Sequence, residues 1–188
     1  MAVPPKIHAL GVDSMTDGEK PTDMLRDEHK NVLQKLDALE DVINRLHEKE
    51  AVAAQRKDLA SFFNTDFWTH FAKEEETLFP ELDKFIPRES GPVGVMLSEH
   101  DDVRKTNAEI QRAIDEYLEG SGSLQTVTVI QNYGTHFVTV LRDHINKEDN
   151  ILFMMADMHL DKTQVDTVIK LFDEIEGSAE KGRAPQKG

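Results

Sequence analysis

The sequence predicts an all-α protein: an up-down-up-down four-helix bundle with an additional short C-terminal helix. Three observations predict it. Four long segments carry apolar residues at alternating steps of three and four, the period of one helix face. Short loops join them, the second and third marked by Gly or Pro, which makes consecutive helices antiparallel neighbours. No stretch shows the period-two alternation of a half-buried strand. The 188 residues amount to about one domain, and 38% hydrophobic with 31% charged residues can fill a core beneath a highly charged surface.

Residues 1–21, with Pro4, Pro5, Gly11, Gly18 and Pro21 and no periodicity, read as an irregular lead-in. The first helix follows, with Thr22 as its N-cap and Leu25, Val32, Leu36, Leu39, Ile43 and Leu46 inward. Its stripe is interrupted by His29, which stands where an apolar residue is expected. The second helix runs from about Val52 through Leu59, Phe63, Phe67, His70, Glu74, Leu78 and Leu82, so two consecutive core positions are ionisable. Pro80 should kink or end it, and Pro87, Gly91 and Pro92 complete the break. The third spans about Pro92 to Leu118, with Val93, Leu97, His100, Val103, Asn107, Ile110 and Ile114 inward; again a histidine interrupts the seam. After the loop Gly120-Ser121-Gly122-Ser123 the fourth helix places Val127, Ile130, Gly134, Phe137, Leu141, His144, Glu148, Ile151 and Met155 on one face. A shorter fifth pattern, Val165, Val168, Ile169, Phe172 and Ile175, starts behind the caps Asp161 and Thr163, and Met154, Met155 and Met158 are expected to bury it. Residues 22–176 thus form one bundle with its extra helix, and 177–188 are expected to be a flexible tail.

Composition excludes several functions. Lys plus Arg total 22 against 36 Asp plus Glu, a net charge of −14, which repels nucleic-acid phosphates and anionic lipid head groups. The absence of cysteine removes disulfides, thiolate zinc sites, iron–sulfur ligation and thiol catalysis. Residues 1–12 contain no apolar run of signal-peptide length and no stretch approaches membrane-spanning length, so a cytoplasmic setting is expected.

The ionisable core residues converge. Counted from the end of the bundle that holds the first and third loops, His29, His70, His100 and His144 all lie ~20–23 residues away, or ~30 Å at helical rise. Glu74 and Glu148 lie one turn further on parallel helices. Isolated charges in an apolar core are costly, and a cation satisfies imidazoles and carboxylates together. Two carboxylates that bridge two ions leave two imidazoles for each, a donor set that favours iron or zinc over calcium and magnesium. His47 lies ~27 Å from His29 along the same helix and is assigned to the helix C-terminus instead. His136 is off the seam, and His8 and His159 are outside the pattern. Glu75, Glu76, Glu99 and Asp149 flank the set; most read as solvated charges, one of them able to orient an imidazole. Phe67 and Phe137 are close enough in register to wall the pocket.

The segments His70-Phe71-Ala72-Lys73-Glu74 and His144-Ile145-Asn146-Lys147-Glu148, with Arg26-Asp27-Glu28-His29 and Ser98-Glu99-His100-Asp101, resemble the four metal-binding elements of hemerythrin-like, cation-binding domains. The resemblance covers about residues 22 to 156, with the elements in order, and within that superfamily it is most similar to the di-iron domain of the repair-of-iron-centres proteins. Their cysteine-bearing N-terminal domain has no counterpart in this sequence. The resemblance implies two iron ions, oxo- or hydroxo-bridged, with manganese or zinc as substitutes. They would be held by His29, His70, Glu74, His100, His144 and Glu148, and a small ligand (oxygen, peroxide or nitric oxide) would be the partner. Oxygen carriers have a fifth histidine on the third helix, and the residue four after His100 here is Arg104. Redox chemistry in oxidative or nitrosative stress is therefore expected before reversible storage. A sensor or carrier without turnover and a purely structural metal staple are the alternatives.

Overall fold

The computed structural model describes residues 20–89, 91–121 and 123–183, which are helical with short connections. Helix α1 is Pro21–Asn44. Helix α2 is a continuous helix over 49–82 that contains π turns at Phe62–Asp66 and Glu74–Leu78. Helix α3 is Pro92–Glu116, α4 is continuous over 124–159 with a π turn at Glu148–Leu152, and α5 is Lys162–Arg183. The expected bundle is present, with α5 laid against it.

Helix starts follow local chemistry. Pro21 opens α1 at a position where its missing N–H would be unpaired anyway. Thr22 is not the cap: it is buried, and its hydroxyl donates to Asp157 on α4 at 2.6 Å. Ser123 caps α4 by accepting from the Thr126 N–H at 3.1 Å. Asp161 and Gln164 cap α5 reciprocally, each side chain accepting the other's backbone N–H, at 2.9 and 3.1 Å. Thr163 has no part in this cap.

Pro80 follows the π turn Glu74–Leu78, and α2 stops two residues beyond it, at Leu82. Three expectations are corrected. The π turn Glu148–Leu152 adds one residue to its turn and rotates everything after it. Leu152 and Ala156 therefore point inward instead of Ile151, which is 52% exposed; Met155 is half-buried against the cluster that α5 closes, whereas Met154 and Met158 are exposed rather than covering α5. Helix α5 does not end at Gly177; it runs on to Arg183, and only 184–188 of the expected tail fall outside the described residues. The lead-in lies outside them too, except for Lys20 and Pro21. On α3, Met96 is buried and Leu97 only half-buried.

The apolar core comes in two separate clusters. One includes Leu36, Phe63, Phe67, Phe71, Val103, Ile110, Phe137 and Leu141. The other, towards the opposite end, includes Leu25, Leu78, Phe79, Leu82, Met96, Leu152 and Phe153, and α5 closes it with Val168 and Phe172. Each fully buried side chain of this size contributes about 1.5–3 kcal/mol. Along every bundle helix the boundary between the clusters falls at the ionisable residues: Leu25, His29, Val32 on α1, and Met96, His100, Val103 on α3. A polar layer thus divides the core.

Candidate metal centre

The layer contains His29, His70, Glu74, His100, His144 and Glu148, all buried, with both glutamates fully so. The imidazoles meet in two pairs. His29 Nε2 lies 3.0 Å from His70 Nε2, and His100 Nε2 lies 3.0 Å from His144 Nε2. Each glutamate reaches one oxygen towards each pair. Glu74 Oε1 is 3.4 Å from His70 Nε2 and its Oε2 is 3.5 Å from His100 Nε2. Glu148 Oε2 is 3.2 Å from His29 Nε2 and its Oε1 is 3.0 Å from His144 Nε2. Two quartets result, each with candidate ligand atoms within 4.8 Å of one another: His29, His70, Glu74, Glu148 and Glu74, His100, His144, Glu148. Two ligand atoms each ~2.1 Å from one ion, at a right angle, lie ~3.0 Å apart, which is the spacing of both imidazole pairs.

The fit to a cation is tested by the carboxylates. All four oxygens of Glu74 and Glu148 are buried without a donor in hydrogen-bonding geometry. An ionised carboxylate left so is expensive. Without metal, protons redistribute to relieve it. Burial, and then the neighbouring Glu148 charge, push Glu74 well above the usual carboxylate range. Burial would raise Glu148 too, but His144 and His29 outweigh it and hold that carboxyl well below its ordinary value. Burial likewise opposes a charge on His144, yet Glu148 and Glu99 raise it to about 9. Burial lowers His70 and His100, which leaves them neutral and able to ligate.

The outward nitrogens show a second pattern. Every Nδ1 meets a carboxylate from the preceding helix of the bundle, cyclically. Glu28 on α1 faces His70 on α2 at 2.8 Å, and Glu75 on α2 faces His100 on α3 at 2.6 Å. Glu99 on α3 faces His144 on α4 at 2.9 Å, and Asp149 on α4 faces His29 on α1 at 2.9 Å, closing the circle. In the neutral ring such contacts fix the tautomer with the proton on Nδ1, so that each Nε2, aimed inward, is the atom free to ligate. Cations tie three of the four in turn: Lys73 to Glu28, Arg104 to Glu75 at 2.7 Å, and Lys147 to Glu99. Sequence reasoning allowed one such carboxylate and missed Glu28; Glu76, which it grouped with the others, is exposed. The missed signal was adjacency, since each of the four stands directly beside one of the six core residues.

Aromatic rings close the layer. Phe71 stacks on His100 with centroids 3.6 Å apart, Phe79 lies at 5.7 Å on the same imidazole, and Phe153 stacks on His29 at 5.5 Å. Phe67 lines a cavity that reaches His70, whereas Phe137 packs edge-on against Phe63 in the apolar core and touches neither. His47 is exposed beside Glu48, His136 bonds Asp102 at 2.9 Å on the surface, and His159 stacks on Phe85, so none of the three has its contacts in the layer. His8 lies outside the described residues.

A four-helix bundle whose polar mid-layer pairs four imidazoles around two shared carboxylates is a cation-binding bundle of the hemerythrin class. The chain belongs to the hemerythrin HHE cation binding domain family, whose model matches residues 20–156. It is also similar to proteins named iron-sulfur cluster repair protein YtfE. The one from Enterobacter sp. (strain 638) is 27% identical over 132 residues, 69% of this chain and 60% of the relative. Those from Musicola paradisiaca (strain Ech703) and Yersinia pseudotuberculosis serotype IB (strain PB1/+) are each 28% identical, with the same coverage. The chain therefore spans about 60% of the length of the curated relatives it matches. Among the described residues no helix is long and apolar enough to cross a membrane.

Proposed function

We propose that the chain binds two iron ions, one between His29 and His70 and the other between His100 and His144, with Glu74 and Glu148 shared by both. The observation that carries this is the set of four buried carboxylate oxygens with no donor, each turned towards an imidazole pair. When bound, an iron pair supplies redox and Lewis-acid chemistry towards a small ligand such as oxygen, peroxide or nitric oxide. The protein's own part is positional. Glu28, Glu75, Glu99 and Asp149 hold the imidazoles in the ligating tautomer, and Phe71, Phe79 and Phe153 keep bulk water out. The relatives' printed name points this chemistry towards the repair of iron–sulfur clusters; oxidative or nitrosative stress in a cytoplasmic setting is the context proposed for it.

Anaerobic loading with ferrous iron tests the reading. Two iron ions per chain, magnetically coupled after oxidation and with a near-ultraviolet absorption band, are expected; zero or one would overturn it. Addition of nitric oxide or peroxide to the loaded protein should change that spectrum. A damaged iron–sulfur enzyme incubated with it should regain activity, and failure there would remove the repair role while leaving the iron pair.

A further inference from the structure

The two halves of the metal layer are closed differently. On the His100 side Phe71 and Phe79 stack over the imidazole. On the His70 side a cavity of about 260 Å³ lies between α1, α2 and α5, with His70 among its lining residues. A divalent ion with six waters, at ~30 Å³ per water, occupies ~180 Å³ and fits. Glu28, Asp66, Glu176 and Glu180 line the cavity against the single ammonium of Lys73. That ammonium is buried and already paired with both Glu28 and Glu176. The pairing also links α5 to the centre: Glu176 on α5 holds Lys73, Lys73 holds Glu28, and Glu28 orients His70. Helix α5 lies outside the residues matched by the family model.

We propose that this cavity is the transit site through which hydrated ferrous ion enters and leaves the metal centre, with α5 as its outer wall. The inference rests on His70 as a metal ligand. Four carboxylates around a small opening raise the local concentration of divalent cations and speed their capture, while the layer behind provides a more strongly coordinating destination. Exchange is confined to one face because the opposite imidazole lies under aromatic rings.

The test is the rate at which the full chain takes up ferrous iron anaerobically and then releases it to a chelator. Ala179→Trp fills the cavity from α5, and Asn31→Trp fills the same space from α1. Each should slow both rates about tenfold with the final iron content unchanged. Ser178→Trp, on the exposed side of α5, should leave them alone. Glu180→Gln should slow uptake about twofold in dilute buffer, and the difference should vanish near ~1 M salt. Normal iron content with unchanged rates in both filling variants would overturn the transit site and leave the two-iron reading intact. Equal slowing by Ser178→Trp would overturn it as well. A wild-type chain that takes up no iron would remove both.

Discussion

Asp149→Ala isolates what one orienting carboxylate contributes. Asp149 accepts from His29 Nδ1 at 2.9 Å. Its loss frees the His29 ring to rotate and to take the other tautomer, in which Nε2 carries the proton and cannot ligate. Removing partners of this kind costs about 10–100-fold in metal affinity, or ~1.4–2.7 kcal/mol. The Asp149 side chain is 32% exposed, so water replaces part of its role, and the loss should fall near the lower end, about tenfold. Glu75→Ala should cost more, close to a hundredfold, because His100 is completely buried and Arg104 loses its shorter ion pair in the same step, keeping only Asp101 at 3.6 Å. Glu76→Ala, an exposed neighbour in the same acidic run, is the control and should cost nothing. The assay is iron titration against a competing chelator, with a thermal melt of each metal-free variant to confirm folding. Equal affinities for all three variants would refute the orienting role.

Other outcomes follow from the same geometry. His47→Ala should leave iron content unchanged, whereas His70→Ala or His144→Ala should lower it sharply; equal loss in all three, measured by metal analysis, would contradict the layer. Glu148→Ala should eject one ion or abolish magnetic coupling before all binding is lost, since two cations at close range repel by several kcal/mol even at an effective dielectric near ~20. Persistence of a coupled pair in that variant, seen by Mössbauer spectroscopy, would mean that Glu148 does not bridge. Metal affinity should rise with pH between 6.5 and about 9, because the metal-free protein holds a proton on His144 up to that value and the ion must displace it. Loading in weak buffer should therefore release protons, and a flat affinity over this range would contradict the assignment.

The helices and the six converging residues were legible in the sequence because both are one-dimensional signals. A helix repeats every 3.6 residues, so His29, His70, Glu74, His100, His144 and Glu148 stood out as ionisable residues at apolar positions, and constant rise set them at one height. Three features were decided only by the tertiary structure. The π turn at Glu148–Leu152 moved the inward face from Ile151 to Leu152, since a wider turn depends on what the carboxylate must reach across the bundle and leaves no mark in composition. Helix α5 continued past Gly177 to Arg183, where Glu176, Ala179 and Glu180 lie over the cavity and Lys73 ties the helix to α2; a glycine costs only ~1 kcal/mol in a helix with such support. The circle of Glu28, Glu75, Glu99 and Asp149 was hidden for a related reason. Each looked like a solvated charge beside a core residue, and each serves an imidazole on the next helix, at a distance that chain folding alone creates.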